Sequence, residues 1–448
     1  LSTADEVAIG EKNYSPSLQT QGGIYSVDLE LQRYVSDVGN RLAAVSDNTK
    51  LPYEFSIVNS SIPNAWALPG GKIAINRGLL LHLNDEAQLA AVLAHEIVHA
   101  AARHGAAQQS RDTLIKIGLA GIQASNKGQA HQKYTEMASS LGVRAWLAKY
   151  GRDDELESDR YAMQYMARAG YQPLAAVELQ QTFLALRRDK RGAEETLFGD
   201  LFSSHPPSQQ RVQANQMTAR SLVSGARFKQ RFDTAIAGLV ADTDAYKASR
   251  RAKLALSKND PQAALKLLDN AVAIQPGESI FWRLRGDAWV SLKNFDNAEL
   301  AYNTAISKNS SYYLSYLRRG ELLYGRGEIG RGLSDIQTSY DYLPTAKASY
   351  YLGISAQQRG DLRLAERYLS AATKARGDLS VRAQWALTSL RLTTSPGRFF
   401  SLDLGVSERG LLRVRLENIS QFVLQATQLQ VIDLSKHSRE VIIPIKVL

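Results

Sequence analysis

Small residues recur along the second half of the chain with a period of about 34 residues, and this periodicity restricts the fold more than any other feature. One register consists of Ala252, Gly286, Gly320 and Gly353. Two further registers consist of Ala264, Ala298, Gly332 and Ala365, and of Ala271, Ala305, Ser339 and Ala372. A repeat of this length accommodates two helices that cross where side chains are small and then stack on the next pair. The pattern therefore favours a helical solenoid over an irregular helical bundle.

The repeated segment resembles the tetratricopeptide repeat and covers residues 245–390. The resemblance implies a concave groove that binds a protein or peptide partner, and it does not identify that partner. After Pro396 apolar and polar residues alternate, which predicts a small β-rich C-terminal domain over residues 397–448. Since the chain stops within a strand-like run, this domain is expected to be truncated.

The first half of the chain has a different pattern. Helical spacing dominates residues 1–50, and residues 53–77 alternate as short strands on both sides of Pro69-Gly70-Gly71. Helical patterns then return, and residues 226–244 are expected to form a linker helix. The chain is therefore predicted to be mainly α. An α+β domain with a small sheet at residues 1–225 precedes the repeat solenoid and the β-rich domain.

Composition excludes several kinds of site and partner. The 448 residues include no cysteine, which rules out disulfides and thiolate metal sites and leaves 7 histidines as the imidazole ligands. The formal net charge is +10, but no dense block of Lys and Arg with interleaved aromatic residues is present. We therefore expect no nucleic-acid partner. No apolar run reaches the ~18–20 residues of a membrane-spanning helix, so no transmembrane segment is expected.

The sharpest chemical signal is the segment His95-Glu96-Ile97-Val98-His99, which lies in a helix-forming stretch. His95 and His99 are four residues apart, so both imidazoles leave the same helix face and can bind one ion. Glu96 lies beside them, where it can take a proton from a water molecule on that ion. The alternative is an incidental exposed histidine pair, and the apolar positions upstream of the motif argue against it.

Two histidines do not complete a catalytic metal site, which usually has three protein ligands. Glu155 and Asp159 best complete it because they are also four residues apart on a predicted helix. Glu155 is expected to be the third ligand, and Asp159 to accept a hydrogen bond from the ring of a ligand histidine. Without the upstream motif, the same segment would be an ordinary acidic helix face.

Together, these segments resemble the gluzincin peptidase family that includes the CAAX prenyl protease and HtpX, peptidase family M48. Asn64 to Gly71 looks like the strand and turn that precede the metal helix in that family. His205-Pro206-Pro207 with Arg211 looks like its downstream histidine segment. The resemblance covers residues 1–220 and implies a zincin-like catalytic domain. The repeats make the chain similar to the soluble, exported BepA-like branch of the family.

The resemblance implies one Zn²⁺ ion per chain, bound by His95, His99 and Glu155, and peptide-bond hydrolysis with Glu96 as the proton carrier. His205 is expected to donate a hydrogen bond to the developing oxyanion. Alternatively, it occupies the fourth zinc position and holds the enzyme latent, or it is a capping or packing histidine.

Two further assignments keep an alternative open. Arg211 is expected to orient the histidine segment or the acidic cluster, and a plain surface arginine is the alternative. The stretch of Asn64, Ala65, Trp66 and Ala67 is expected to bind an extended substrate as an added strand. The alternative is that this stretch forms a buried strand of the fold.

These features predict a zinc-dependent endopeptidase that acts on misfolded or envelope proteins, with the repeats recruiting a substrate or a protein partner. The alternative is a chaperone-like repeat adaptor with a latent, self-blocked zinc site. The resemblance further implies a periplasmic location, a leader that has been removed or lies outside this sequence, and the outer-membrane assembly machinery as a partner. A segment around residues 106–150 is expected to cover the cleft.

Overall fold

The computed structural model describes residues 2–103, 151–188, 198–406, 412–419, 428–432 and 440–444. The chain divides into two compact units, Leu1–Leu343 and Pro344–Leu448. The expected cover at residues 106–150 lies outside the described residues. The predicted domain boundaries at residues 225, 245 and 390 stay predictions.

The first unit opens with two helices and a small sheet. Its first elements are α1 (Thr3–Thr20), α2 (Leu29–Ala43), β1 (Glu54–Val58), β2 (Ala65–Leu68), β3 (Lys72–Asn76) and the short α3 (Arg77–Leu80). The strand order is β1-β3-β2, with β1 parallel and β2 antiparallel to the central strand β3. All three strands lie where the alternating pattern predicts them. β2 is thus an edge strand, and no described strand pairs with its outer side.

The turn between β2 and β3 requires glycine. Gly70 has a φ of +76°, in the left-handed region that side chains with a Cβ rarely adopt. A Cβ at this position would lie 2.6 Å from the Cα of Val7, so α1 packs directly on the turn. The close approach of α1 covers one face of the sheet and leaves the other face for the helices that follow.

Helices cover the second face of the sheet. They are α4 (Glu86–Ala101), α5 (Arg152–Arg168), α6 (Leu174–Arg188), α7 (Gly199–Ser204), α8 (Gln209–Ser221) and α9 (Lys229–Ala241). α4 is the central helix, and every residue from Glu86 to Ala100 is buried. Its cap is Asp85, whose carboxylate accepts a hydrogen bond from the backbone N–H of Gln88. A helix buried on all sides fixes the direction of each side chain that it carries.

Six helices form the repeat part of the first unit. They are α10 (Thr243–Ser257), α11 (Pro261–Ile274), α12 (Ser279–Ser291), α13 (Phe295–Lys308), α14 (Tyr313–Gly325) and α15 (Ile329–Tyr342). The periodic small residues lie where the two helices of a pair meet. A Cβ on Gly286 would lie 2.3 Å from the ring of Tyr302, and one on Gly320 would lie 2.8 Å from Ile336. The 34-residue period therefore arises because each helix pair has small residues where its two helices cross.

Buried polar side chains connect the sheet to the first repeats. Glu278 is fully buried and accepts hydrogen bonds from Asn59 Nδ2 at 3.0 Å and from the Tyr246 hydroxyl at 2.7 Å. The guanidinium of Arg77 lies 3.3 Å from the centroid of the Tyr246 ring and donates from Nε to Asn59 Oδ1 at 2.8 Å. These contacts join the sheet to α10 and to the start of α12, and the repeats up to α15 belong to the same compact unit.

The second unit contains a further helix pair, one more helix and two β-hairpins. Its elements are α16 (Ala346–Gln358), α17 (Leu362–Ala372), α18 (Asp378–Thr394), β4 (Phe400–Val406), β5 (Leu412–Asn418), β6 (Gln428–Ile432) and β7 (Glu440–Pro444). β4 pairs with β5 and β6 with β7, both antiparallel. The structure confirms the predicted fold class: a mainly α chain with a small sheet, a repeat solenoid and a β-rich C-terminal part. None of the described helices is both long and apolar enough to cross a membrane.

Candidate metal centre

The central helix α4 brings two imidazoles together. His95 and His99 are four residues apart, and their Nε2 atoms lie 3.0 Å from each other. His95 is 9% exposed and His99 is 2% exposed, so both rings are almost completely removed from solvent. The pair therefore needs partners from the protein or a bound cation.

Two other elements complete the cluster around these histidines. Glu155, in the first turn of α5, has Oε1 at 3.3 Å from His99 Nε2 and Oε2 at 3.6 Å from His95 Nε2. His205, which caps the end of α7, places Nδ1 3.0 Å from Glu155 Oε1 and 3.3 Å from His95 Nε2. One ligand atom from each of the four residues lies within 4.8 Å of the others. The cluster can therefore hold a metal ion.

A buried ion pair supports the cluster from behind. Asp159 lies one turn after Glu155 on α5, and its Oδ1 is 3.0 Å from His95 Nδ1. Arg211 donates to both carboxylate oxygens of Asp159 at 2.7 Å, and its Nη1 lies 2.6 Å from Glu155 Oε2. Arg211 is placed by its own helix start, since the Ser208 side chain caps α8 at the Arg211 N–H. The segment after Pro206-Pro207 thus reaches both acidic residues.

The charges of the cluster are strongly coupled. Burial opposes protonation of His95, but the Glu155 and Asp159 carboxylates outweigh it and raise the pKa of His95 to about 10. At His99 burial dominates and holds the pKa well below its ordinary value. Burial would raise the pKa of Glu155, but His205 and Arg211 keep it well below its usual range. The two carboxylates thus stabilise a positive charge at His95, carried as a proton or supplied by a cation.

Glu96 differs from the other members of the cluster. Its Oε1 lies 3.4 Å from His205 Nε2, while no described group donates a hydrogen bond to its buried Oε2. Burial raises the pKa of this carboxyl, although His205 and His95 oppose the shift. A buried oxygen without a donor is costly unless it has a partner that these residues do not supply. Glu96 therefore has a free acceptor at the cluster.

A cavity adjoins the cluster. His95, Glu96 and His205 line it together with Asp159, Arg211 and Asn215, and the rest of the lining is mainly apolar. The apolar lining residues come from β2, α3, α4, α5, α6 and α7 and are Ala65, Leu79, Ala91, Val92, Ala162, Ala176, Leu179, Phe183 and Leu201. The reactive groups thus lie at one wall of an apolar pocket.

The predicted substrate strand divides between two faces. Ala65 lines the cavity, whereas Trp66 packs on Tyr14 of α1 with ring centroids 5.9 Å apart and donates from Nε1 to Gln21. Ala67 is buried in the main core. Asn64 precedes the strand, and its buried Oδ1 has no hydrogen-bond partner among the described residues. The structure therefore brings Ala65 to the cavity and directs Trp66 away from it.

Sequence reasoning missed two residues at the cluster. Ser158 Oγ lies 3.4 Å from His99 Nδ1, and Asn215 Nδ2 donates to Asp159 Oδ2 at 3.2 Å. Ser158 is three residues after Glu155, and Asn215 is four residues after Arg211, so helix spacing from the acidic and arginine positions is the signal that finds them.

The fold and the cluster define a class of protein, namely a helical domain with a buried three-histidine, one-carboxylate centre followed by helix-pair repeats. Residues 30–219 match peptidase family M48, and residues 249–313 match the tetratricopeptide repeat. The chain therefore contains a domain of peptidase family M48 followed by tetratricopeptide repeats, as the two motif segments and the 34-residue period predict. This family is one of metallopeptidases, which agrees with the donor set.

Three relatives illustrate the similarity. The chain is 29% identical over 222 residues to the beta-barrel assembly-enhancing protease of Yersinia pestis, covering 48% of this chain and 45% of that protein. It is 32% identical over 181 residues to the mitochondrial metalloendopeptidase OMA1 of Schizosaccharomyces pombe, covering 40% and 50%. It is 29% identical over 183 residues to the metalloprotease YcaL of Escherichia coli K12, covering 40% and 68%. The chain thus spans half or less of the length of the first two relatives.

Proposed function

We propose that this chain is a zinc-dependent endopeptidase. The observation that carries the proposal is the buried centre of His95, His99 and Glu155, with the free carboxylate oxygen of Glu96 beside it and an apolar cavity in front. A metal site alone would serve structure as well as catalysis. The free acceptor and the cavity are what a structural metal site does not need.

The donor set fits zinc. His95, His99 and Glu155 would hold the ion, because two imidazoles and one carboxylate are the ligands that catalytic zinc sites use, with one position left open. When bound, the ion supplies Lewis acidity, which lowers the pKa of a water ligand and polarises a carbonyl. Cation binding also requires the His95 ring nitrogen without its proton, so zinc affinity should fall as the pH is lowered.

Two side chains would move or stabilise charge during hydrolysis. Glu96 would accept a proton at its free Oε2 and later deliver it to the leaving amine. His205, whose Nε2 faces Glu96 Oε1 at 3.4 Å, would donate a hydrogen bond to the developing oxyanion. Both groups are buried, which strengthens their electrostatic effect.

Two further residues act as positioning residues. Asp159 would hold the Nδ1 proton of His95 and thereby present Nε2 to the ion. Arg211 fixes that carboxylate through two hydrogen bonds of 2.7 Å. Such a bidentate pair has one favoured geometry, so the orientation of the His95 ring follows from the position of α8.

The edge strand β2 would bind substrate. An extended peptide can add to its outer side through main-chain hydrogen bonds, which gives affinity with little sequence selectivity. Ala65 carries this edge to the cavity, and the free Oδ1 of Asn64 would accept a hydrogen bond from a peptide N–H. Trp66 and Ala67 would support the strand from the core.

The biological setting is proposed from the relatives. The similarity to beta-barrel assembly-enhancing proteases supports a periplasmic enzyme that acts on misfolded or envelope proteins near the outer-membrane assembly machinery. The tetratricopeptide repeats would recruit a substrate or a partner protein. The alternative of a chaperone-like adaptor with a latent zinc site is not favoured, because the centre carries both the metal donors and the free carboxylate.

Metal content and cleavage of casein by the purified chain test the proposal. We expect about one zinc ion per chain, and cleavage that a chelator abolishes. Glu96→Gln should keep the zinc and lower cleavage by about 10²–10⁴-fold. Glu11→Gln is the matched control, since it makes the same chemical change at an exposed position of α1 and should leave cleavage unchanged. No zinc after supplementation, or full activity of Glu96→Gln, would contradict the proposal.

A further inference from the structure

One face of α10, the first repeat helix, carries a row of exposed basic residues. Lys247, Arg250 and Arg251 are exposed on one side of the helix, and exposed Lys258, which caps its C-terminal end, is seven residues after Arg251 and continues the same side. Leu254 lies in the middle of the row and is 55% exposed. The opposite side packs into the fold through Ala245, Tyr246, Ser249 and Ala252. We call this row the α10 basic face.

The charge of the α10 basic face is largely uncompensated. Lys247 pairs with Asp244 at 3.0 Å, and no described carboxylate forms an ion pair with Arg250, Arg251 or Lys258. Elsewhere on the repeats most arginines are paired, for example Arg319 with Asp335 at 2.7 Å. Four cations therefore face one carboxylate, and like charges one helical turn apart repel each other. An anionic partner would remove this repulsion and gain electrostatic complementarity.

The shape of the face selects among anionic partners. From Lys247 to Lys258 it extends for about 16 Å at ~1.5 Å per residue, a length that an extended segment of about five residues covers. The neighbouring helix α9 does not continue the positive charge, since its Lys229 is paired with Asp233 at 2.9 Å. A flat lipid surface would need positive charge spread over several elements, whereas a narrow row suits a linear polyanion.

We propose that the α10 basic face binds an acidic, extended segment of a partner protein, with an apolar side chain of that segment against Leu254. This site is separate from the metal centre and does not depend on the proposed peptidase activity. It gives the repeat part a binding surface of defined chemistry. The ligand segment would carry carboxylates along its length and one apolar residue near its centre.

Fluorescence anisotropy on the full chain tests the proposal. The probe is a fluorescein-labelled peptide Glu-Asp-Glu-Leu-Glu-Asp-Glu, checked by mass spectrometry to remain intact, and the control probe is its amide form Gln-Asn-Gln-Leu-Gln-Asn-Gln. We expect the acidic probe alone to bind, and its affinity to fall as salt is added. Arg250→Glu with Arg251→Glu should weaken binding by about tenfold or more. Lys308→Glu with Lys374→Glu changes the net charge equally at exposed positions outside α10 and should leave binding within about twofold.

Two additions keep the outcome decisive. Arg250→Gln with Arg251→Gln is a milder pair that should weaken binding to an intermediate extent, and equal urea unfolding midpoints exclude loss of fold as the cause. Leu254→Ala should weaken the leucine-containing probe but not a probe with serine in its place. Absence of binding at low salt, or an equal loss in both charge-reversal pairs, would overturn the proposal. So would binding to vesicles rich in phosphatidylglycerol through Arg250 and Arg251 without binding of the acidic probe.

Discussion

Replacing Asp159 by asparagine tests whether the residues behind the metal centre hold its ligands in place. In the structure Asp159 Oδ1 faces His95 Nδ1 at 3.0 Å and accepts from Arg211 Nη2, while Oδ2 accepts from Arg211 Nε and Asn215 Nδ2. Asparagine has the same shape, but one of its two terminal atoms is a donor. In either orientation that donor faces at least two other N–H groups, so no rotation of the amide restores the pattern.

The size of the effect follows from burial. Arg211 is 3% exposed and keeps only Glu155 as a carboxylate partner once Asp159 is neutral, at 2.6 Å through Nη1. We therefore expect Arg211 to compete with the metal for Glu155, and the His95 ring to lose its orientation. Zinc affinity should fall by about 10–100-fold, or ~1.4–2.7 kcal/mol. Loss of one partner of a buried ion pair should lower the free energy of unfolding of the metal-free chain by about 3 kcal/mol.

Competition against a zinc-binding dye measures the affinity, and urea unfolding of the metal-free chain measures the stability. Asp153→Asn is the matched control, because Asp153 is exposed at the start of the same helix α5 and contacts no member of the centre in the described structure. It should change zinc affinity by less than about twofold. If Asp159→Asn folds and binds zinc as tightly as the unmodified chain, the positioning role assigned to Asp159 and Arg211 is wrong.

Three other predictions concern the repeats, the pH dependence and His205. Gly286→Ala should lower the free energy of unfolding by about 1–3 kcal/mol because its Cβ would lie 2.3 Å from the ring of buried Tyr302. Gly325→Ala is the control, since a Cβ there meets no atom within 4 Å. Equal urea midpoints for both variants would refute the packing argument. Burial opposes the ionised form of Glu86, but hydrogen bonds from one arginine and two tyrosines outweigh it and lower its pKa. The stability it contributes should be present above its ordinary pKa of 4.5 and lost as the pH falls further, so urea unfolding between about pH 3 and 7 should show a smaller acid loss for Glu86→Gln. His205→Ala should lower kcat by about 10²–10³-fold at unchanged zinc content; a rise in activity would show instead that His205 blocks the centre.

Sequence reasoning succeeded where the physical cause is local. The four-residue spacing of His95 and His99 fixes their common face as soon as the segment is helical, and the same holds for Glu155 and Asp159. The repeat period can also be predicted from the sequence, because each small residue lies where a neighbouring helix of the same repeat packs closely. At Gly286 the ring of Tyr302 leaves no room for a Cβ, so the glycine in the sequence directly indicates this contact.

Sequence reasoning was less accurate where several residues of similar chemistry compete for one position. From the sequence, Asn84 or Asp85 can cap α4, and Thr3 with Glu6 has the same capping-box spacing as Ser2 with Asp5. The structure uses Asp85 for α4, and Ser2 with Asp5 for α1. Adjacent residues of these types can all accept a backbone hydrogen bond, so tertiary packing decides which of them does. In the structure the side chain of Glu6 is already engaged by Arg103 of the turn after α4.

Contacts between distant segments leave no local pattern in the sequence, so the expectation that Arg211 orients the acidic cluster stood beside the alternative of a surface arginine. Arg211 reaches Asp159 across 52 residues, and β1 pairs parallel with β3, a pairing that the local strand–turn–strand pattern does not contain. Both depend on how α5, α8 and the sheet pack together. Such pairings have no local periodicity, since the partners share neither a helix face nor a turn.

The connection between the sheet and the repeats fixes the first repeats relative to the metal centre. Asn59 follows β1 and Arg77 follows β3, and both are held by the buried Glu278 and Tyr246 of the repeats. The same strands fix the edge strand β2, whose Ala65 lines the cavity of the metal centre. A partner or substrate bound along the first repeats would therefore be held at a set distance from the reactive groups. Because a buried charged cluster loses several kcal/mol when a single member is removed, this arrangement resists hinge motion between the sheet and α10.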